Sequence, residues 1–449
     1  MNRPPSDEPD ESPKTTETRR AVTSRRSLLL TGGALGLAMP GVSLRALGNR
    51  GQRGEQHEND TNQWTSSSAD SHQDTQQSSY FQKLAASDGT SPDWFGHSIA
   101  RSGNTAIIGA QRNNDNGAAY VFQFDGSQWT EKQKLTANDG TAYDSFGASV
   151  AVSDDVALIG APNDDDNGSH SGAAYVFRFD GCEWTQEQKL TPCEGASYVW
   201  FSTSMGVSDG VALIGAPGDD DNGNHSGAAY VFQFDGSQWT QEQKLTASDG
   251  TEDDNFGRSI AKSSEMAIIG APGNHSGAAY VFQFDGSQWT EKQKLTANDG
   301  TADDGFGFSV AVSDDVAFIS AFGDDDNGTN SGSAYVFRFD GSQWTEKQKL
   351  TANDGTADDR FGASVAVSDD VALIGAYYGN HSGDGSGAVY VFRFDGSQWS
   401  EMNKLVSNDS TARDLFGASV AVSDDVALIG APYDDENGIS SGAAYVFHL

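Results

Sequence analysis

At 449 residues, with 36% hydrophobic residues and 52 glycines, the chain carries enough apolar sequence for a substantial core. Its 64 acidic against 28 basic residues give a formal net charge of -36, which argues against nucleic acid and anionic membranes as partners, since both require basic surface. On a chain rich in Val, Ala, Phe and Trp, such charge reads as the solvating surface of a halophilic protein and not as disorder; a fold and solubility indifferent to millimolar or molar salt would overturn that.

Taken in chain order, residues 1–47 hold Ser24-Arg25-Arg26-Ser27-Leu28-Leu29 followed by a Gly/Ala/Leu run to about Val42. An arginine pair before a moderately apolar segment resembles a twin-arginine export signal, carried by Arg25 and Arg26. The run is too short and too glycine-rich for a comfortable membrane span of about 20 residues, so no transmembrane span is expected in the mature chain. Residues 48–79 are polar and aperiodic, which predicts a disordered linker.

From residue 80 to 449 the sequence repeats itself. Phe-Gly recurs at Phe95-Gly96, Phe146-Gly147, Phe256-Gly257, Phe306-Gly307, Phe361-Gly362 and Phe416-Gly417, with Phe201-Ser202 as a weakened copy, at spacings of 50, 51 or 55 residues. About 14 residues after each Phe comes Gly-Ala-Pro or a relative, intact at Gly160-Ala161-Pro162, Gly215-Ala216-Pro217, Gly270-Ala271-Pro272 and Gly430-Ala431-Pro432. Within the second copy, 148–152 and 156–159 alternate as strands, 173–179 and 184–190 follow, and Ser153-Asp154-Asp155 and Asp180-Gly181 supply turns. Each copy is a four-stranded antiparallel meander, and seven of them predict an all-β, seven-bladed β-propeller. The seventh copy stops after its third strand, whereas Phe81-Gln82-Lys83-Leu84 matches a fourth-strand ending. The N-terminal strand is therefore expected to close the last blade.

These are recognisable as FG-GAP repeats, and the region resembles the propeller of the integrin α chain. That resemblance implies an extracellular, ligand-binding role and places cation loops between the first and second strands. Here that turn is only Ser-Asp-Asp, as at Ser313-Asp314-Asp315, too short to wrap an ion. The family's cation sites are therefore not carried over.

Acidic residues gather instead in the second-to-third-strand loops, expected on one face together with the blade-to-blade loops. Asp164, Asp166, Asp219, Asp221, Asp324, Asp326 and Asp434 are the candidate metal ligands, with Ca²⁺ the cation that such oxygen-rich, glycine-containing turns could hold. Asp and Asn are also ordinary turn residues, and both readings stand. The Asp two places before Phe in six copies is expected to bond nearby backbone amides. Four histidines before Ser-Gly lie in blades spread around a ring, which argues against a shared metal. Asn167, Asn224, Asn274, Asn327, Asn380 and Asn408 head glycosylation sequons. Cys182 and Cys193 flank one strand, too far apart for a disulfide, and are expected to be free thiols.

The third copy deviates most, and Tyr198 and Trp200 are the candidate ligand contacts. No nucleophile and base recur in a recognisable motif, so an enzyme is not expected. The reading is an exported, monomeric binding or adhesion module for an extracellular protein or glycan, at the cell surface or released. A passive envelope component and an exported propeller enzyme are the alternatives.

Overall fold

A computed structural model describes residues 30–31, 81–273, 275–380 and 383–449. The arginine pair at 25 and 26, the linker at 48–79 and the sequon asparagine at 274 lie outside the described residues. Among those that are described, no helix is long and apolar enough to cross a membrane.

Seven antiparallel sheets form a seven-bladed propeller. The first blade runs from an inner strand, Phe95–Ser102, through Thr105–Ala110 and Ala118–Phe124 to an outer strand, Trp129–Leu135. The next five repeat this order. In the seventh, the inner strands Ser419–Ser423, Val426–Ala431 and Ala443–His448 are completed by Gln82–Leu84. Gln82 pairs with Val446, Lys83 with Tyr445 and Leu84 with Ala444, so the predicted closure is the one observed. The pair Leu30–Thr31 adds a short antiparallel strand to the inner edge of the first blade, opposite Arg101 and Ala100.

Apolar residues on both faces of each blade make the core, which lies between blades and not within them. Leu158, Val176 and Leu190 of the second blade pack against Phe201, Tyr230 and Trp239 of the third, all nearly inaccessible to water. Each such contact removes several large side chains from water at roughly 25 cal/mol per Å² of apolar area, so the ring is held by its seams.

Two polar devices fix the spacing of those seams. Near the axis, a serine hydroxyl donates to the backbone of the following blade: Ser98 to the Gly147 carbonyl at 2.8 Å, Ser149 to Ser202 at 2.6 Å, and Ser419 of the last blade to Gly96 of the first at 2.8 Å. The backbones approach so closely there that a Cβ on Gly109 would sit 2.0 Å from the Gly147 oxygen. At the periphery, Gln133 donates to the Trp184 carbonyl at 2.7 Å and accepts from its N–H at 2.8 Å, and the same two-bonded clasp recurs between other blades.

The second-to-third-strand loops and the blade-to-blade loops share one face, as the meander requires. Backbone bonds join them directly, from the Tyr198 N–H to the Ser169 carbonyl at 2.7 Å and from Asp358 to Thr329 at 2.7 Å.

Candidate functional site

The inner strand of every blade opens on the same frame, in which a buried Phe is the fixed point. Phe95, Phe146, Phe256 and their counterparts are fully buried, each edge-on to a Tyr of the third strand, as in Phe146 and Tyr175 at 5.4 Å. The residue before each Phe is left-handed, with φ between 50° and 68° at Trp94, Ser145, Trp200, Asn255, Gly305, Arg360 and Leu415. The strained turn persists because the buried Phe on one side and backbone bonds on the other over-determine it.

The frame repeats, while the residues it holds toward the axis do not. Before the Phe stand Trp, Ser, Trp, Asn, Gly, Arg and Leu, at the positions just named. After the Phe-Gly pair come His97, Ala148, Thr203, Arg258, Phe308, Ala363 and Ala418. The dipeptide following Gly-Ala or Ser-Ala varies equally, from Gln111-Arg112 and Pro162-Asn163 to Phe322-Gly323, Tyr377-Tyr378 and Pro432-Tyr433.

Members of these columns from five consecutive blades border a cavity of about 500 Å³, Trp94 and Arg112 on one side and Phe308 and Phe322 on the other. A space touched by so many blades lies at the mouth of the propeller axis. Among the described residues, none that line it is Asp or Glu. The two lining guanidinium groups lie instead over aromatic rings, Arg112 over Trp94 at 4.2 Å and Arg258 over Phe308 at 5.1 Å; Arg360, outside the lining, lies over Tyr378 at 5.0 Å. Burial lowers the Arg258 guanidinium below its ordinary value, and arginine is basic enough to keep its proton. Tyr433 packs at a tilt against Trp94 at 4.9 Å, and Phe308 against Phe322 at 4.1 Å, which sets the aromatic wall.

The two residues singled out in the third copy therefore separate. Trp200 lines the cavity and contacts His225 at 5.5 Å between ring centres. Tyr198 is 53% exposed outside it, stacked on His170 at 5.5 Å.

The acidic loops have a different occupant from the one their sequence suggests. Lys189 Nζ lies 2.8 Å from Asp164, 2.5 Å from Asp166 and 3.0 Å from Asp139. Lys244 takes Asp219 at 2.8 Å and Asp221 at 2.5 Å; Lys349 takes Asp324 at 2.8 Å, Asp326 at 2.6 Å and Asp299 at 2.9 Å. In the last blade Lys83, on the closing strand, reaches Asp434 at 2.9 Å, Asp409 at 2.8 Å and Glu436 at 2.5 Å. Each ammonium also sits about 5 Å from a Tyr ring, and Tyr175, Tyr230 and Tyr445 donate their hydroxyls to Asp164, Asp219 and Asp434. Burial would lower the Lys83 ammonium, but its hydrogen bonds to carboxylate and phenol partners outweigh it and raise the group above its ordinary value. The candidate metal ligands thus surround a lysine nitrogen where a cation would stand. Among the described residues, no group of three or more His, Cys, Asp or Glu is placed to hold a metal ion.

The chain matches the family model described as FG-GAP repeat over residues 79–122, 129–177, 184–232, 239–282, 289–337, 344–392 and 399–447. It belongs to the FG-GAP repeat family. Each FG-GAP unit runs from the outer strand of one blade through the third strand of the next, so the seam between blades lies inside the repeat. No curated protein matches the chain. Among solved structures, a chain of the Crystal Structure of Mitotic Checkpoint Complex aligns with a TM-score of 0.52 at 10% identity, over 87% of this chain and 99% of that one, a likeness of fold alone.

Within the FG-GAP frame, the Asp before Phe plays the structural part expected of it. Asp144 accepts from the Thr141 N–H at 2.6 Å and its hydroxyl at 2.8 Å, and Asp304 does the same with Thr301. The third unit has Val199 in place of this Asp and Ser202 in place of the glycine. Ser202 holds φ 74° while its hydroxyl donates to the Ala173 carbonyl at 2.7 Å. Of the sequon asparagines, Asn167, Asn224, Asn327, Asn380 and Asn408 are exposed. Cys182 and Cys193 are free and exposed.

Proposed function

We propose that this FG-GAP propeller is an extracellular binding module, not an enzyme, and that its ligand seats at the axial mouth on the acidic-loop face. One observation carries the reading: in five consecutive blades, positions that differ from copy to copy border one cavity, while the frame around them repeats. A merely structural axis would be served by seven equal side chains. A ligand without sevenfold symmetry requires unequal ones, and the mouth supplies Trp, Arg, Asn and Phe in different sectors. The lining combines apolar rings with a few convergent polar groups, the ordinary make-up of a small-molecule or glycan site. Fold alone carries many functions, so the argument rests on the site.

Export by the twin-arginine route, extracellular or cell-surface placement and glycosylation of loop asparagines belong to the same proposal; they rest on Arg25-Arg26 and on the exposed sequons. Recognition is assigned to the mouth and not to a Ca²⁺ bridge, because a lysine ammonium already occupies the centre of these loop carboxylate sets.

The test combines Trp94→Ala with Trp200→Ala in the full chain and measures retention on immobilised extracellular proteins and glycans, with Asp235→Ala on the opposite face as control. Loss of retention in the double variant alone supports the reading. Retention unchanged by it, or absent in the unaltered protein, sinks it. For export, Arg25→Lys with Arg26→Lys should leave the protein in the cytoplasm; unimpeded appearance outside would remove the twin-arginine assignment.

A further inference from the structure

We infer that the axial cavity recognises a saccharide ending in a single carboxylate, a uronic acid at the tip of an otherwise uncharged glycan; this rests on the mouth being the binding site and names the chemistry it takes.

The first argument is charge. In a chain of net charge -36, no carboxylate lies among the described residues lining the cavity, yet Arg112 and Arg258 of two blades line it and Arg360 of a third lies 5.5 Å from the lining ring of Phe322. Elsewhere, lysines of the outer strands reach the loop aspartates, as with Lys349 among three of them. Among the described residues, by contrast, neither Arg112 nor Arg360 forms an ion pair. Both are held over aromatic rings; Arg360 also donates one N–H to the Tyr377 hydroxyl at 3.3 Å, whereas for Arg112 the ring contact fixes the guanidinium without consuming its hydrogen-bonding edge. A planar fork presented in this way matches a carboxylate in bidentate geometry.

The second argument is the surrounding ring of charge, which limits how much anion the ligand can bear. Asp165, Asp220, Asp325 and Asp435 are exposed on the same face, at the tips of the loops outside the cavity. A polyanion laid across that face would meet carboxylates at every blade. A neutral chain with one acidic end meets the positive hub with its tip and the acidic rim with hydroxyl groups alone.

The third argument is the remainder of the lining. Ser145, Asn163, Thr203 and Asn255 offer amides and hydroxyls that both donate and accept, as sugar hydroxyls do. Trp94, Trp200 and Phe322 supply flat apolar faces of pyranose size. Capture of a peptide carboxylate uses a nest of backbone N–H groups or a sheet edge. Here the left-handed residues before each Phe turn their N–H groups into the adjoining loop, as from Trp200 to the His170 carbonyl at 3.2 Å.

The experiment uses the full chain and a panel of neutral oligosaccharides, each presented with and without a terminal uronate, with affinity read by calorimetry. At least one acid-capped member should bind at least tenfold more tightly than its neutral counterpart. Arg112→Ala should erase most of that preference, Arg112→Lys should restore part of it, and Trp200→Ala should weaken both forms. Unchanged thermal unfolding of the arginine variants separates this from loss of fold. Equal affinity for capped and uncapped forms, with both lost in Trp200→Ala, overturns the acidic-terminus assignment and leaves the mouth as the site. If no member of the panel binds, or if none of the mouth variants changes binding, the saccharide assignment falls. Retention on immobilised extracellular proteins that Trp94→Ala with Trp200→Ala abolishes would then assign the mouth to a protein ligand.

Discussion

Gln82 closes the propeller by holding the backbone of Trp129 at both ends: its Nε2 donates to the Trp129 carbonyl at 2.7 Å and its Oε1 accepts from the Trp129 N–H at 2.8 Å. The clasp joins the last blade to the first through a side chain on the three-residue strand Gln82–Leu84, the shortest outer strand of the ring. At the corresponding place in the sixth blade, which faces that short strand, Asn403 stands where the other blades carry Gln. The strand Gln82–Leu84 has no Trp to be clasped, so the longer side chain has lost its purpose there.

Gln82→Ala strands a peptide N–H and a carbonyl that water reaches poorly, and is expected to destabilise the ring by about 1 to 3 kcal/mol. Deleting 80–84 removes three ladder pairs, Lys83 and its three carboxylate contacts together, and should abolish a single cooperative thermal transition. Calorimetry decides between the two degrees of damage. A deletion variant that unfolds in one sharp transition at the original temperature would show that the seventh blade does not need its fourth strand.

How much of this was legible in the sequence follows from the range of each interaction. The blade count and closure were readable because Phe-Gly, Gly-Ala and Asp-Gly are local signals repeated in phase, and Gln82-Lys83-Leu84 matched the outer strands directly. The fate of the acidic loops was not readable. Asp164 looks like a cation ligand until Lys189, on the outer strand 25 positions later, folds back beneath it, and Asp139 joins from the preceding loop. Trp200 was found as a deviation within one copy. The cavity it belongs to emerges only when the same position is compared down all seven copies, a column that also contains Trp94, Asn255 and Arg360. Arg258 was missed for that reason, since its own copy is otherwise regular.

Lys349→Met tests whether lysines replace a metal in the loops. It leaves Asp299, Asp324 and Asp326 facing one another without a countercharge, and should cost about 2 kcal/mol, the range of hydrogen bonds to charged groups. Ca²⁺ should raise the thermal midpoint of this variant, while neither Ca²⁺ nor chelator should move that of the unaltered protein. The same lysines set the acid response. Burial would raise Asp139, Asp299 and Asp409, but hydrogen bonds from Lys189, Lys349 and Lys83 outweigh it and hold all three below the ordinary Asp value. A carboxylate lowered on folding contributes stability above its unfolded value of 3.8, and that contribution is lost as pH falls through 3.8 and below. Asp144 and Asp414, raised by burial, take up protons earlier and soften the loss. Unfolding followed from pH 7 to pH 3 should therefore show a steeper decline in the unaltered protein than in Lys349→Met. Parallel curves would mean that Lys349 does not govern the carboxylates it touches.

Lys262 offers a prediction of opposite sign. It lies near the axis in the strand Ser259–Ser263, at the place held by Val152, Val207, Val312, Val367 and Val422 in other blades. The ammonium is buried, donating to the Ser208 carbonyl at 3.2 Å, the Ser208 hydroxyl at 2.5 Å and the Ser264 carbonyl at 2.9 Å, and lies 5.7 Å from the Trp289 ring. Burial pushes its pKa down to about 8, against the weaker attraction of Asp209. Below pH 8 the lysine is charged in both states, and keeping that charge in the fold costs roughly 3 kcal/mol. Between about 8 and 10.5 the folded protein has lost the proton while the unfolded chain still binds it, so stability rises with pH across that window. Lys262→Val removes the charge and restores the side chain of the neighbouring blades. At pH 7 its thermal midpoint should exceed that of the unaltered protein by about 4 °C. The gap should close as pH approaches 10.5, because the neutral lysine no longer carries the penalty. A gap that is absent at pH 7, or that widens with pH, would show that the three oxygen acceptors and the Trp289 face fully repay the burial of the charge.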